Sequence, residues 1–525
     1  MAIGTLTSRI TGVFRDIALV AAIGTAIFAD TYSVANSIPN IIYILIAGGA
    51  INAVFIPALV RHMKDDEDQG QLFTDQLLTF VGLVLLVIVT LGVIFSGSLV
   101  KLYATNSWSA QDFKVGTLFT MWFIPQVFFY GIYTIASQVL NARDIFILPM
   151  FAPIINNVVV IFTAIAFLTI SAQVPTTDSV TTSQIYLLGF GTTLGVVLQA
   201  IILLPALKKA GYGFNPTFNF RGSGLGKVAD LAIWTIGFVI VNQISFLFVS
   251  NLTTYANVLA VNENLVANGF TSYQKAQLMM MLPHSIITVS IVTALLPRLS
   301  AHAHDHSDLR FNLDLANAMR SVIALTVPCA VLLYLAGNRI GQFLYGYGAS
   351  SSAQGQAVGK VASMFALGLP AFSMFYVLLR SYYARENTRT PFLINAGFNV
   401  LHLTLGTFLF IRVGTENKVA ALALAYSISY IAVWIFTWRL VSKQKVNLNT
   451  ASQIRLLVRV SVAALISLGL SWTATQFIST VTPENALGGF IQLSAMAATF
   501  IGAYYFCAKQ MQISEVSDFA KVIRR

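Results

Sequence analysis

Cysteine is nearly absent. Cys329 and Cys507 are the two in 525 residues, far apart and each inside an apolar stretch, so neither a disulfide framework nor a paired-thiol metal site is available. Charge is scarce too: Asp, Glu, Lys and Arg make up 10% of the chain, against about 25% in soluble domains. That shortage excludes a fold surrounded by water on every side. The chain also lacks a Walker loop, an HExxH helix, a paired CxxC and a nucleophile elbow, which removes the usual soluble catalytic centres, so an enzyme is not expected. A cleavable leader is not expected either. Arg9, Arg15 and Asp16 interrupt the place where its uncharged core would sit, and the N-terminus is expected to be retained.

What is abundant is apolar sequence. Hydrophobic residues make up 56% of the chain and the mean hydropathy is +0.75. A helix needs about 20 apolar residues to cross a hydrocarbon core of about 30 Å. Runs of that length bounded by charge, Gly, Pro and Asn recur throughout, near 8–27, 32–58, 75–98, 117–140, 147–171 and 184–206, then 230–256, 276–296, 319–345, 358–382, 391–412 and 417–440, and finally 456–477 and 487–508. The expected class is an all-α integral membrane protein with about 14 spans, in blocks of six, six and two. Residues 1–207 form the first block, 208–228 a polar connector on the membrane surface, 229–445 the second block, and 446–525 the last two spans with a tail.

The net charge is +11 and the pI about 9.5. In a soluble chain this balance would raise nucleic-acid binding; in a membrane protein it follows from basic cytoplasmic loops. With an even number of spans, one set of loops and the tail carries most of the 31 basic residues, among them Arg61, Lys64, Arg143, Lys208, Lys209, Arg298, Arg310, Arg385 and Arg439. The opposite loops carry only Lys101, Lys114, Lys275, Arg339, Lys360, Arg412 and Lys418. Both termini are therefore expected in the cytoplasm, and no nucleic-acid partner is expected.

A charge in mid-membrane costs about 2.5 to 3.5 kcal/mol on insertion scales, so it faces a cavity or a partner. The first span holds three. At 100° per residue, Arg9 and Asp16 share a face and Arg15 lies about 120° away. Two guanidiniums suit the oxygens of a phosphate in a wet cavity. The competing explanation has Arg9 snorkelling to the surface and Arg15 paired with an acid such as Asp16 or Asp30. Asp30 falls in a short outside loop, where water could solvate it. Asn36, Pro39, Asn40, Gly48, Gly49 and Asn52 make the second span polar and breakable. Asn156 with Asn157, Asn242 with Gln243, and Asn395 with Asn399 are buried amides best explained by interhelical hydrogen bonds. His302, His304 and His306 resemble a metal tract but fall in an inside loop, where solvation explains them; no metal site is assigned.

The segments TSRITGVFRD, FADTYSVANSIPN, AVFIPAL, VLNARDIFILPMFAPIINN, VSIVTALLPRLS, FLYGYGA and SYYARENTRTPF together resemble the signature of the MurJ (MviN) lipid II flippases of the MOP exporter superfamily. They run in order from the first span to the eleventh; the last two spans match in position and hydrophobicity alone. The resemblance implies two six-helix lobes around a central cavity, with two C-terminal helices forming a groove for a polyprenyl tail. It implies as substrate lipid II, the undecaprenyl-diphosphate-linked muropeptide of peptidoglycan, carried across the bacterial inner membrane by alternating access. By the family pattern, Ser8, Arg9, Arg15, Asp30 and Asn40 match cavity positions, with Arg9 and Arg15 toward the diphosphate.

The chain departs from the pattern in two places. Tyr43, Ile44 and Gly48 stand where many relatives carry an Arg pair and a Glu, and Leu278 stands where a further cavity Arg usually lies; Lys275, one turn away, is the candidate replacement. Expected partners are lipid II, membrane lipids and cell-wall synthesis proteins. No cofactor is expected; the drive is membrane potential or a monovalent cation, for which Asn242, Asn395 and Asn399 are the weak candidate ligands. The alternatives are an exporter of another polyprenyl-diphosphate-linked saccharide and a non-transporting scaffold for cell-wall enzymes.

Overall fold

The computed structural model describes residues 2–46, 71–171, 174–218, 229–444, 446–482 and 486–517. Gly48, Gly49, Asn52, Arg61 and Lys64, the later part of the polar connector and the end of the tail lie outside the described residues. Every regular element among the described residues is a helix. In chain order these are α1 (Ala2–Ile23), α2 (Ile27–Ile46), α3 (Gln71–Ile94), α4 (Ser96–Tyr103), α5 (Ala110–Phe123), α6 (Gln126–Ala142), α7 (Ile147–Ile170), α8 (Thr182–Ile201), α9 (Leu204–Lys209) and α10 (Ala229–Asn262). There follow α11 (Phe270–Pro283), α12 (Val289–His304), α13 (Asp308–Tyr345), α14 (Ser352–Ala366), α15 (Leu369–Tyr383), α16 (Arg389–Arg412), α17 (Lys418–Lys443), α18 (Thr450–Ser479) and α19 (Ala486–Gln510).

Eleven helical stretches among the described residues are long and apolar enough to cross a membrane, and a twelfth is the pair α14 and α15, bent by 47°. They coincide with the third to fourteenth expected spans. The expected first two are not among them: α1 carries Arg9, Arg15 and Asp16, and the second expected span runs into 47–70, outside the described residues. The protein is a multi-pass membrane protein.

Breaks in the helices have local causes. Pro370 in the first turn of α15, after Gly368, supplies no N–H to continue α14, and the bend sits there. Pro283 likewise ends regular α11, and His284–Thr288 widens into a π-helical turn before α12. Helix starts are specified by side chains: Ser109 with Asp112, Thr181 with Gln184, and Ser351 with Gln354 form capping boxes for α5, α8 and α14.

The chain divides into two compact units. The first comprises Met1–Thr271 with Gly348–Ser350, and the second Ser272–Tyr347 with Ser351–Arg525. In the first, α1 packs along α7 and α7 along α8, while α2 packs on α5 and α10. Its core includes Phe28, Tyr32, Phe119, Phe123 and Phe167, with Tyr32 edge-on to Phe119 and Phe123 at 5.4 and 5.2 Å. The connector docks on α3: the Tyr212 hydroxyl donates to Asp75 at 2.7 Å, the Asn215 N–H donates to the same carboxylate at 3.0 Å, and the Thr217 N–H donates to Thr79 Oγ1 at 3.1 Å.

In the second unit α13 lies against α14 and α18, and α17 against α15 and α16. The α13–α14 crossing is so close that a Cβ on Gly359 would sit 2.2 Å from the carbonyl oxygen of Gly337; only glycine permits that approach. The 38-residue α13 is about 57 Å long at 1.5 Å per residue, well beyond a hydrocarbon core; Asp308, Arg310, Asp314 and Arg320 fall in its first third and Arg339 near its other end. His302 and Arg298, near the end of α12, pair with Asp314 at 3.3 and 3.0 Å. No group of His, Cys, Asp and Glu among the described residues is arranged to hold a metal.

Candidate functional site

A cavity of about 520 Å³ opens in the first unit, between α1, α6 and α7. Ser8 and Arg9 line it from α1, Tyr133, Thr134, Ser137, Gln138 and Asn141 from α6, and Pro149, Met150 and Pro153 from α7. Polar residues on α6 recur at spacings of three and four, so hydroxyls and amides from successive turns share one wall. Arg9 makes no ion pair or hydrogen bond with the described residues and is half-buried. A permanently charged guanidinium beside hydroxyls and amides forms a site for an anionic, hydrogen-bonding ligand.

The second arginine of α1 is held differently. Arg15 Nη2 lies 3.5 Å from Asp16 Oδ2, and Nη1 donates to Asn157 Oδ1 of α7 at 3.2 Å. The amide of Asn157 donates in turn to Thr11 Oγ1 at 2.9 Å and to the Ser8 carbonyl at 3.1 Å. Asn157 thus fastens two turns of α1 to α7, as expected for a buried interhelical amide. Of the two acids considered for Arg15, Asp16 is the one it meets. The pair is incomplete: the Arg15 side chain remains 32% exposed and its Nε has no partner among the described residues.

Asp30 is not in a loop. It lies in the first turn of α2, fully buried, because the turn at Gly24, with φ +74°, ends α1 early enough for α2 to begin at Ile27. Its Oδ2 accepts from Asn257 Nδ2 at 2.7 Å and from the Phe270 N–H at 3.1 Å, and Oδ1 accepts from the Thr271 N–H at 2.7 Å. A carboxylate from one helix therefore caps the N-terminus of α11, where orphan N–H groups and the helix dipole favour negative charge. A Cβ on Gly269 would lie 2.2 Å from Oδ2, so glycine makes room for this contact.

Asn40 is exposed on α2 and does not line the cavity that holds Ser8 and Arg9. Lys275 is half-buried on α11 in the second unit. Tyr43, which stands where many relatives are expected to carry a cation, hydrogen-bonds through its hydroxyl to Thr134 of the cavity wall and packs on Tyr130 at 5.5 Å. Among the weak cation candidates, Asn242 is on α10 of the first unit, whereas Asn395 and Asn399 are buried one turn apart on α16, where Asn399 Nδ2 donates to the Asn395 carbonyl at 2.8 Å. The α6 wall escaped the sequence reading, although Thr134, Ser137, Gln138 and Asn141 carry a readable helical period. Asn257 escaped it with less signal.

The family described as lipid II flippase MurJ matches residues 19–494. The chain belongs to that family. Asp30, Asn40 and Lys275 fall inside the matched residues, and Ser8, Arg9 and Arg15 precede them. Among curated relatives, the lipid II flippase MurJ of Burkholderia cenocepacia is 26% identical over 510 residues, covering 95% of this chain and 94% of its own. The probable lipid II flippase MurJ of Thermotoga maritima is 28% identical over 440 residues, covering 83% and 82%. Among solved structures, a lipid II flippase MurJ in an inward closed conformation matches with a TM-score of 0.73 at 22% identity, covering 97% of this chain and 98% of that one. An inward-facing multidrug transporter of the MATE family matches at 0.64 and 12% identity, covering 85% and 99%. The fold is that of the MurJ and MATE membrane transporters.

Proposed function

We propose that this chain carries lipid II from the cytoplasmic to the outer leaflet of the bacterial inner membrane. The observation that carries this reading is Arg9, a guanidinium with no partner among the described residues, in a polar-walled cavity of a chain belonging to the MurJ family. A diphosphate, sugars and amides cannot cross hydrocarbon unaided, because desolvating them costs several kcal/mol per unsatisfied group. The cavity supplies substitutes for water: Arg9 for the diphosphate, with the α6 hydroxyls and amides for hydroxyls and amides of the head. The polyprenyl tail stays in lipid. Alternating access then presents the cavity to one side of the membrane and the other, with both termini in the cytoplasm.

No bond is made or broken in this cycle, and the protein acts as a transporter, not an enzyme. Moving one elementary charge through 100 mV is worth about 2.3 kcal/mol. An anionic head is therefore drawn outward by a positive-outside potential, and the emptied cationic site is drawn back inward, so membrane potential suffices as the drive, with or without a monovalent cation.

The test is restoration of a depleted strain with Arg9→Ala and Arg15→Ala, reading the accessibility of newly made lipid II to externally added probes. Loss of accessibility at normal protein level supports the reading. Full accessibility with both variants would remove the arginines from it, and growth restored without translocation would favour a scaffold for cell-wall enzymes.

A further inference from the structure

In the cavity that holds Arg9, two side chains of α6 have hydrogen-bonding capacity that none of the described residues takes up. We propose that these two, Gln138 and Asn141, select the substrate by gripping the 2-acetamido group of the sugar bonded to its diphosphate. This rests on the transport reading and names the part of the head that the α6 wall meets.

The neighbouring polar groups on that wall are engaged. The Tyr133 hydroxyl donates to the Pro149 carbonyl at 2.9 Å, Thr134 is paired with the Tyr43 hydroxyl, and Ser137 is buried. Gln138 and Asn141 are half-buried, line the cavity and make no side-chain hydrogen bond with the described residues. Their chemistry differs from that of Arg9, the one charged residue in the lining. A carboxamide is uncharged and offers donors and an acceptor side by side. The α6 wall therefore recognises a neutral group, while the guanidinium takes the anion.

Spacing favours a single amide as that neutral group. Residues three apart on a helix are about 60° apart around the axis and about 4.5 Å apart along it, so both carboxamides bear on one spot. A trans secondary amide points its N–H and its C=O in opposite directions and is satisfied by two partners, an acceptor on one side and a donor on the other. A sugar hydroxyl needs no such pair, because it rotates to suit one neighbour. Position along the head follows from volume. A cavity of about 520 Å³ is of the size that encloses one small ligand. Once Arg9 holds the diphosphate, the adjoining sugar fills what remains, and the second sugar and the peptide lie beyond it. The amide nearest the diphosphate is the acetamido group on C2 of that first sugar. A site built for an amide rejects an analogue that lacks it, because its own groups are then left without complements.

The experiment measures equilibrium binding of the purified full chain to three undecaprenyl-diphosphate lipids: one bearing N-acetylglucosamine, one bearing glucose, which differs from it only at C2, and undecaprenyl diphosphate itself. Wild-type protein should bind the acetamido lipid about tenfold more tightly than the glucosyl lipid, as two neutral hydrogen bonds would give. Gln138→Met and Asn141→Leu, which keep the bulk and remove the amide, should each bring the two glycolipids within about threefold of one another. Each ratio is internal to one protein sample, so a partial loss of folded protein does not imitate it. Equal affinity of wild-type protein for the two glycolipids, with undecaprenyl diphosphate still bound, would overturn the acetamido assignment and leave the transport reading standing. A preference that persists in both variants would overturn the roles given to Gln138 and Asn141. Failure of wild-type protein to bind any of the three would overturn the transport reading, and this proposal with it.

Discussion

Arg15 and Asn157 meet across the interface of α1 and α7, the guanidinium donating to the amide oxygen at 3.2 Å while the amide nitrogen holds Thr11 and the Ser8 carbonyl. One side chain thereby steadies the helix that presents Arg9 to the cavity.

Replacing Asn157 by Ala should remove all three bonds and leave Arg15 with Asp16 alone. Interhelical hydrogen bonds in membrane proteins average about 0.6 kcal/mol and reach about 1.7, so the expected loss is about 1 to 2 kcal/mol. Thermal unfolding of the purified protein in detergent measures it. Asn157→Asp should recover part of the loss, because a carboxylate still accepts from Arg15, although it cannot donate to the Ser8 carbonyl.

Asp30 should behave as a structural carboxylate. Asp30→Ala uncaps α11 and leaves the Asn257 amide nitrogen with the Thr25 carbonyl alone, at a cost of about 1 to 3 kcal/mol. Asp30→Asn should cost nearly as much, since whichever oxygen becomes NH₂ then faces a backbone donor. Gly269→Ala should act in the same direction by pushing against Oδ2. Melting temperature and membrane abundance report the effect. A variant at Asp30 with normal stability and abundance but no transport would contradict this assignment.

Gly359→Ala should wedge α13 from α14, because the added Cβ meets the Gly337 carbonyl. Overpacking of this kind costs about 1 to 3 kcal/mol. The measurement is again unfolding in detergent, with Gly397→Ala, where a Cβ meets open space, as the neutral comparison.

The connector should confer a pH dependence on stability. Burial first, then the hydrogen bond and charge of Asp75, hold the Tyr212 phenol well above its ordinary range, with Arg143 pulling weakly the other way. A group whose folded pKa is raised contributes stability that is whole below its unfolded pKa, about 10, and that declines as pH climbs through the folded value. Wild-type protein should therefore lose stability above about pH 10, and Tyr212→Phe should be less stable at neutral pH but show a shallower alkaline decline.

How much of this was legible in the sequence follows from the range of the forces involved. The third to fourteenth spans were readable because each rests on a local run of apolar residues. The role of Asn157 was readable as a type, since an amide in an apolar helix seeks another helix. Asp30 was not: its loop assignment followed from its place between the expected spans 8–27 and 32–58, whereas the group that explains it, Asn257, lies 227 positions away. Nothing local distinguishes a solvated aspartate from one that caps a distant helix. Arg15 fell between the two competing readings, half paired and half exposed. The α6 wall had a period but no charge, so an arginine-centred reading passed over it.

The central claim is that Arg9 recognises a diphosphate in the cavity it lines. The direct measurement is equilibrium binding of purified wild-type and Arg9→Gln protein to lipid II and to undecaprenol, which shares the tail but lacks the diphosphate. A charge-assisted contact of roughly 1.5 to 3 kcal/mol predicts that Arg9→Gln weakens lipid II binding by about ten- to a hundredfold and leaves undecaprenol binding unchanged. Equal lipid II affinity in the two proteins, with both folded, would contradict the account.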